Sequence, residues 1–170
     1  MKTVRRTRTA ILFSSDTRDH CPGGSDVKVD ITVNELVVFP LIERVVLQGY
    51  EEFSDLPENR SIFVYSLDEI ATEKTLALAD PARNEPRDLY DLWHLTTNEG
   101  IEIDPLIPAI RQKLEFRHKA CEGLQAAITR KEARLAALWE ARLSHEMTAL
   151  LPFERVFRAV RRTLRQTHSP

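Results

Sequence analysis

The segment that decides the fold comprises residues 62–95, IFVYSLDEIATEKTLALADPARNEPRDLYDLWHL. It predicts a short apolar strand, a helix over residues 66–78, a turn marked by prolines, and a second helix that begins near Arg87. Ser66 and Glu69 have the spacing of a capping box, in which the glutamate reaches back to the serine amide. Charged residues then stand at positions where the helical period favours core residues.

Lys74 is the first of these charged residues. The stripe that it shares on the first helix consists of Leu67, Ile70, Ala71, Ala77 and Leu78. Because a buried, unpaired ammonium is costly, the side chain must reach water or a carboxylate. The sequence allows two interpretations of Lys74: an ion pair or snorkelling lysine at a helix interface, or a lysine that points into a cleft and contacts phosphate.

Asp88 and Asp91 lie three residues apart and therefore on one face of the second helix. Asp88 stands in the first turn, where the helix dipole favours a carboxylate, so capping alone explains it. Asp91 shares its face with Leu92 and Leu95, which places it inward or at the edge of a cleft. Each aspartate is either a partner for Lys74 or a carboxylate that acts as a general base or orients a nucleotide or hydroxyl.

The part of the chain before this segment is predicted to be rich in strands. Residues 8–15 and 27–33 have strand patterns, and residues 16–26 between them are turn formers. Residues 34–61 are compatible with edge strands or with a poorly regular connection. We therefore predict a β-rich domain over residues 1–65.

The part of the chain after Tyr65 is predicted to be a helical domain, residues 66–170. Beyond the two helices of the deciding segment, further helices are expected over residues 105–118, 120–149 and 153–166. The predicted fold class is α+β, with a β-sheet core followed by a mainly helical C-terminal lobe.

Asp30 stands in the middle of the predicted strand 27–33, between Val29 and Ile31. A carboxylate in such a position can hold a metal ion at a two-metal phosphoryl-transfer site, which requires hard oxygen ligands. The alternation of the strand equally allows Asp30 to face solvent.

The predicted last helix has a basic face. Its arginines are Arg158, Arg161, Arg162 and Arg165, opposite the apolar residues Val156, Phe157, Val160 and Leu164. This pattern is typical of the solvated face of an amphipathic helix. The alternative is a weak RNA-binding patch for the phosphate backbone.

The composition of the 170 residues excludes several classes of protein. No run of 18 apolar residues exists, so no membrane span is predicted. A net charge of −2 gives no global attraction to nucleic acid. Cys21 and Cys121 lack CxxC spacing, which indicates a reducing compartment. We predict a cytoplasmic protein.

The residues from Val64 to Lys74, followed by Ala77-Leu78 and by Pro86 to Leu95, resemble the nucleotidyltransferases of the AbiEii/AbiGii toxin family. The family pattern is a strand, then s-l-E-E-i-x-A-E-K-l-x-A-L, then R-D-x-x-D-l-w-x-L. Glu69, Glu73, Lys74, Arg87, Asp88 and Asp91 all match in register, whereas Thr72 departs from the pattern. Lys28 to Ile31 and Leu151 to Phe157 are weaker matches.

This resemblance implies a polymerase β-like nucleotidyltransferase core with NTP as donor and Mg²⁺ as cofactor. The acceptor would be an RNA, such as tRNA, or a protein, and a cognate antitoxin and a role in phage defence are implied as well. Lys74 would contact the nucleotide phosphates together with Arg87. Asp88 or Asp91 would be the catalytic or orienting carboxylate, and Asp30 would be a metal ligand.

The first motif of the family is a Gly-Gly/Ser turn followed by a paired acidic strand. Gly23-Gly24-Ser25 has a different context, because it precedes a strand without an Asp-x-Asp pair. We therefore expect an N-terminally truncated member that keeps a remnant of the β-sheet core and has impaired transfer. The alternatives are a non-catalytic helical module that binds RNA or an antitoxin, and a degenerate remnant.

Overall fold

The computed structural model describes residues 35–47, 60–119 and 123–166 of the chain. The following account concerns the compact unit Val37–Pro170. The predicted strands 8–15 and 27–33, with Asp30, lie outside the described residues.

Two short strands precede the helices. β1 (Ile42–Val45) and β2 (Ser61–Val64) pair antiparallel, with Ile42 opposite Val64 and Val45 opposite Ser61. The strand expected before the first helix is confirmed one residue earlier than predicted. For residues 34–61 the sequence was compatible with edge strands or with a poorly regular connection. Within the described residues of this range, β1 forms such a strand.

Six α-helices follow the strands in the described part of the chain. They are α1 (Leu67–Ala79), α2 (Pro86–Thr97), α3 (Ile107–Phe116), α4 (Leu124–Thr129), α5 (Glu132–Leu143) and α6 (Phe153–Gln166). A 3₁₀ turn, Asp104–Leu106, leads into α3. A two-stranded antiparallel sheet followed by helices confirms the predicted α+β class.

The helices α1 and α2 begin where the sequence predicts. The Ser66 hydroxyl accepts a hydrogen bond of 3.2 Å from the Glu69 amide, so it caps α1. Pro86 occupies the first turn of α2, where its missing N–H costs nothing and its fixed φ favours the helix. The short turn across which Lys74 and the α2 aspartates face each other lies between the end of α1 at Ala79 and Pro86.

The single helix predicted over residues 120–149 is wrong. The chain forms α4 and α5, which are separated at Arg130 and Lys131, and α5 ends at Leu143. The break allows the buried Lys131 ammonium to donate hydrogen bonds to the carbonyl oxygens of Asp80 and Arg83. The spacing of apolar residues gives no information on these carbonyls, because they belong to a loop about 50 residues away in the sequence.

The apolar stripe predicted on α1 is partly wrong. Leu67 is 42% exposed, whereas Glu69, Thr72 and Leu76 are buried. α1 is packed against α2, α3 and α4 together, so its buried surface is wider than one stripe. Polar positions are buried there because several have internal partners, such as the Thr75 hydroxyl, which donates 2.8 Å to the Ala71 carbonyl.

The core of the helical unit is one cluster of buried residues to which all six helices contribute, with α2 packed against α1, α5 and α6. Trp139 of α5 packs edge-on against Phe153 of α6, with ring centroids 5.4 Å apart, and its indole N–H donates to the Leu151 carbonyl. The buried face of α6 is the predicted one, with Val156, Phe157, Val160 and Leu164 all inside. Within the described residues, none of the helices has the length and apolarity needed to span a bilayer.

Candidate functional site

The Lys74 ammonium bridges two helices. Its Nζ atom lies 2.6 Å from Asp91 Oδ2 and 3.0 Å from Asp88 Oδ1. The helical period places Lys74 on the side of α1 that faces α2, and the turn over residues 80–85 brings the two aspartates opposite it. The interhelical ion pair, one of the two interpretations that the sequence left open, is therefore present.

The Asp88 carboxylate is bonded to two cationic side chains, Lys74 and Arg83. Its side chain is only 3% exposed, and besides Lys74 it accepts hydrogen bonds from Arg83 Nε at 2.5 Å and Arg83 Nη2 at 3.2 Å. Burial disfavours the charged carboxylate, but Arg83 and Lys74 outweigh burial and lower the pKa of Asp88. Asp88 therefore remains ionised and is held in one orientation.

The two carboxylates also keep Lys74 charged. Burial disfavours the ammonium, yet the hydrogen bonds and charges of Asp91 and Asp88 are stronger, so the pKa of Lys74 is raised. The side chain of Lys74 is 24% exposed. A permanently charged ammonium that water still reaches can exchange a carboxylate for another anion.

Asp91 joins this ion cluster to a cleft. Its side chain is 32% exposed, tenfold more than that of Asp88. The cleft has a volume of about 620 Å³, and the residues that line it are Ile70, Arg87, Tyr90, Asp91, His94, Leu95, Glu146 and Met147. Arg87 Nη1 lies 3.3 Å from Glu146 Oε2. A cleft with apolar walls and a few charged groups has the character of a small-molecule site.

A second ion cluster lies between α1 and α3, and the sequence did not predict it. The buried Lys113 Nζ atom lies 2.5 Å from Glu69 Oε1 and 2.5 Å from Glu73 Oε1. Arg117 Nη2 also donates to Glu73, at 2.8 Å from each oxygen. Burial opposes the charge on Glu73, but Arg117 and Lys113 outweigh it and lower the pKa of Glu73.

The Glu69 carboxylate has a different function from the one expected of a capping box. Its Oε2 atom accepts hydrogen bonds from the amides of Val38 and Phe39, at 3.1 and 2.9 Å. Glu69 therefore ties the chain that enters β1 to α1 and, through Lys113, to α3. The sequence signal for Lys113 is the one used for Lys74, since Lys113 follows Ile110 and Ala109 by three and four residues on the buried side of α3.

Arg83 was missed because it stands in a predicted loop. Loop arginines are usually solvated, and nothing in the local pattern distinguishes this one. The sequence contained only a weak indication of this contact. Arg83 stands five residues before Asp88, in a short turn between Pro81 and Pro86, so its side chain can reach that carboxylate.

The predicted basic face of α6 lies on the surface. Arg155, Arg158, Arg161, Arg162 and Arg165 are exposed. No ion pair joins any of them to another residue in the described ranges. Four of them, Arg158, Arg161, Arg162 and Arg165, border a groove of about 470 Å³ that Glu132, Glu154 and Phe157 also line.

The described residues do not form a magnesium site by themselves. Over residues 35–47, 60–119 and 123–166, no group of three or more His, Cys, Asp or Glu side chains is arranged to hold a metal ion. Asp88 and Asp91 are instead neutralised by Lys74 and Arg83, which leaves no anionic cage of the kind that Mg²⁺ requires.

The chain matches a protein-family model over most of its length. The family model described as nucleotidyl transferase AbiEii toxin, type IV TA system, matches residues 8–164. The chain belongs to this family. No curated protein and no solved structure matched the chain. The suspected AbiEii membership is thereby confirmed, and with it a nucleotidyltransferase toxin of a toxin–antitoxin system as the general class of the protein.

Proposed function

We propose that this AbiEii family member transfers a nucleotide from an NTP to an RNA acceptor such as tRNA, with Lys74 binding the phosphates of the donor. The observation that carries the proposal is the position of Lys74. Its charged, partly exposed ammonium is held by two carboxylates beside a cleft of about 620 Å³. Residues 1–65 would supply a partial nucleotidyltransferase core, and residues 66–170 would form the helical lobe.

The triphosphate would replace a carboxylate as the partner of Lys74. Phosphate oxygens and carboxylate oxygens are equivalent partners for an ammonium, so the exchange conserves the charge interaction. Arg87 lines the same cleft, and its exposed partner Glu146 is a weak competitor. Arg87 would therefore add a second phosphate contact, with the nucleoside lying along the apolar wall.

Asp91 is the better candidate of the two aspartates for the acceptor. Asp88 is buried and keeps Arg83 as a partner, whereas Asp91 is exposed to the cleft. When Lys74 moves to the phosphates, an oxygen of Asp91 becomes free to accept a hydrogen bond from the acceptor hydroxyl.

The chemical step proposed is a displacement at the α-phosphorus of the NTP. The acceptor oxygen forms a bond to phosphorus, the bond from phosphorus to the bridging oxygen of pyrophosphate breaks, and pyrophosphate leaves. The proton of the acceptor hydroxyl passes to Asp91. Lys74 and Arg87 stabilise the negative charge that develops on the phosphates.

Magnesium remains part of the proposal as the ion that accompanies the NTP in nucleotidyltransferases. Because the described residues do not form its site, the protein ligands would come from outside them, with Asp30 as the residue that the sequence suggests. No step above depends on the ion.

The arginine face of α6 is proposed to hold the RNA acceptor. Five exposed arginines on a helix with one glutamate form a dense positive surface on a protein whose net charge is −2. Such a surface binds the phosphate backbone without reading sequence.

As the toxin of a toxin–antitoxin pair, the protein would have a cognate antitoxin and act in phage defence in the cytoplasm. The family description supports the antitoxin. The defence role is what the resemblance implies, and the compartment is the one that the cysteine spacing predicts.

The test is transfer of label. The full chain is incubated with α-³²P-labelled NTPs, Mg²⁺ and bulk tRNA, and acid-precipitable label is measured for the wild type, Lys74→Met and Asp91→Asn. Because impaired transfer is expected from the sequence, the proposal expects weak labelling by the wild type and no label with either variant. Label that persists unchanged in Lys74→Met would refute it.

A non-catalytic RNA-binding module is the second candidate, and the exposed arginines of α6 favour it. It predicts that tRNA binds with the same affinity to the wild type, Lys74→Met and Asp91→Asn, and that none of them transfers label.

A further inference from the structure

The connection between α1 and α2 contributes a cation to the site from outside the cleft. Arg83 donates to both oxygens of Asp88, through Nε at 2.5 Å and Nη2 at 3.2 Å. Its guanidinium does not line the cleft of Asp91 and Arg87. Arg83 therefore acts on the site through Asp88 and not through a ligand in the cleft.

Asp88 makes the release of Lys74 costly. The carboxylate is 3% exposed, and a buried carboxylate that loses its counter-ion is strongly destabilised. If Lys74 were the sole partner of Asp88, its movement to a phosphate would leave such an unpaired charge. With Arg83 in place, Asp88 keeps a two-point charged partner after Lys74 has left.

The turn that carries Arg83 is itself fixed from the other side. The buried Lys131 ammonium donates to the carbonyl oxygens of Asp80 and Arg83, the latter at 2.7 Å. Lys119 lies 2.5 Å from the carboxylate of Asp80, and that carboxylate accepts a hydrogen bond from the Ala82 amide. These bonds hold the backbone of Arg83 in place, so its guanidinium is kept within reach of Asp88 although 54% of the side chain is exposed.

We propose that Arg83 is a positioning residue that remains as the counter-ion of Asp88 when Lys74 transfers from the carboxylates to the phosphates of the bound nucleotide. This inference rests on the proposed function, because it takes Lys74 as the phosphate-binding group. Its consequence is specific: removal of Arg83 weakens phosphate binding although Arg83 touches no phosphate, since Lys74 is then retained by Asp88.

The experiment is a double-mutant cycle with inorganic tripolyphosphate as the probe, measured by titration calorimetry on the full chain. The variants are Arg83→Met, Asp88→Asn and the double variant, with Lys74→Met measured alongside. We expect Arg83→Met to weaken tripolyphosphate binding about tenfold, which lies within the range of couplings between residues in contact. In the Asp88→Asn background the same change should have no further effect, because the carboxylate that retains Lys74 is gone.

The matched control is Arg117→Met. Arg117 is also bonded to both oxygens of a partly buried carboxylate, but that carboxylate belongs to Glu73 in the other cluster. The Arg117→Met variant should therefore leave tripolyphosphate binding unchanged. Arg83→Lys keeps the positive charge but cannot bond both oxygens of Asp88, so we expect a partial loss of tripolyphosphate affinity. This variant also replaces Arg83→Met in the experiment if Arg83→Met does not fold.

Two results would overturn the inference. One is an unchanged affinity in Arg83→Met, and the other is an equal loss in the presence and absence of the Asp88 carboxylate, which would mean that Arg83 attracts the anion directly. If Lys74→Met itself leaves tripolyphosphate binding intact, the proposed function fails. If Lys74→Met weakens binding and Arg83→Met does not, only the inference about Arg83 fails.

Discussion

The Nζ atom of Lys74 lies 2.6 Å from the Oδ2 atom of Asp91, and this contact joins α1 to α2 at the edge of the cleft of about 620 Å³ that Asp91 lines. The contact is partly open to water, because 24% of the lysine side chain and 32% of the aspartate side chain are exposed. A bond of this kind holds the ammonium in place and yet can be exchanged for a bond to phosphate.

Removal of Lys74 should affect binding far more than stability. In Lys74→Met, Asp88 keeps Arg83, so the loss in the free energy of unfolding should be near the ordinary value for a point mutation, about 1 kcal/mol. Urea denaturation measures this loss. A loss as large as that of a buried ion pair would show that Lys74 is chiefly a structural residue.

Removal of Lys113 should have the opposite profile. Lys113→Met leaves the fully buried Glu69 without its cation. The free energy of unfolding should therefore fall by about 3–5 kcal/mol, the usual cost of breaking a buried ion pair. Nucleotide binding by the folded fraction should be unchanged. A loss below about 1 kcal/mol would contradict the view that Lys113 balances a buried charge.

The double variant Glu69→Leu, Lys113→Met checks the cause of that loss. Because it removes both charges, it should be less unstable than the sum of the two single variants. It still loses the acceptor for the amides of Val38 and Phe39, so full recovery is not expected. Additive losses would mean that Glu69 and Lys113 act independently.

Several boundaries of this fold were predictable because their signals are local. Ser66 caps α1 and Pro86 opens α2, and both effects act within one turn of the residue concerned. The buried face of α6 was predictable for a similar reason, because its apolar residues and its arginines recur at helical spacing on opposite faces. Lys74 and the α2 aspartates were predictable as a group because only a short turn separates them.

The missed features depend on contacts between distant parts of the chain. Glu69 looked like a capping residue, and its real partners, Lys113 and the amide of Phe39, lie 44 and 30 residues away. The break at Lys131 depends on carbonyls of the α1–α2 turn in the same way.

Acid should destabilise the protein through Asp88 and Glu73. The folded-state pKa of each lies below its ordinary value of 3.8 or 4.5, so the unfolded chain binds more protons and stability rises with pH. Their contribution is complete above the unfolded values and is lost as the pH falls through the folded ones. Thermal melts between about pH 6 and pH 3 should therefore show a falling melting temperature.

The variants Asp88→Asn and Glu73→Gln should each flatten this dependence, whereas Glu115→Gln, at an exposed position on α3, should not. An unchanged slope in both test variants would show that the acid lability comes from other groups.

The arginine face of α6 should govern RNA binding. Arg161→Glu together with Arg165→Glu should weaken retention of tRNA on a filter and reduce the dependence of affinity on salt, because fewer counter-ions are released. The control exchanges two exposed arginines on other elements, Arg44→Glu and Arg111→Glu, with the same change in net charge. Equal effects of the two pairs would assign the binding to overall charge and not to this helix.

The most direct test of the central claim is a calorimetric titration of the full chain with each of the four ribonucleoside triphosphates in the presence of Mg²⁺. The claim predicts that at least one of them binds to the wild type and to Arg117→Met with equal affinity. It also predicts that Lys74→Met binds that nucleotide at least about tenfold more weakly, the scale of one charged contact. Equal affinity in the wild type and in Lys74→Met would contradict the assignment of this cluster as a nucleotide site.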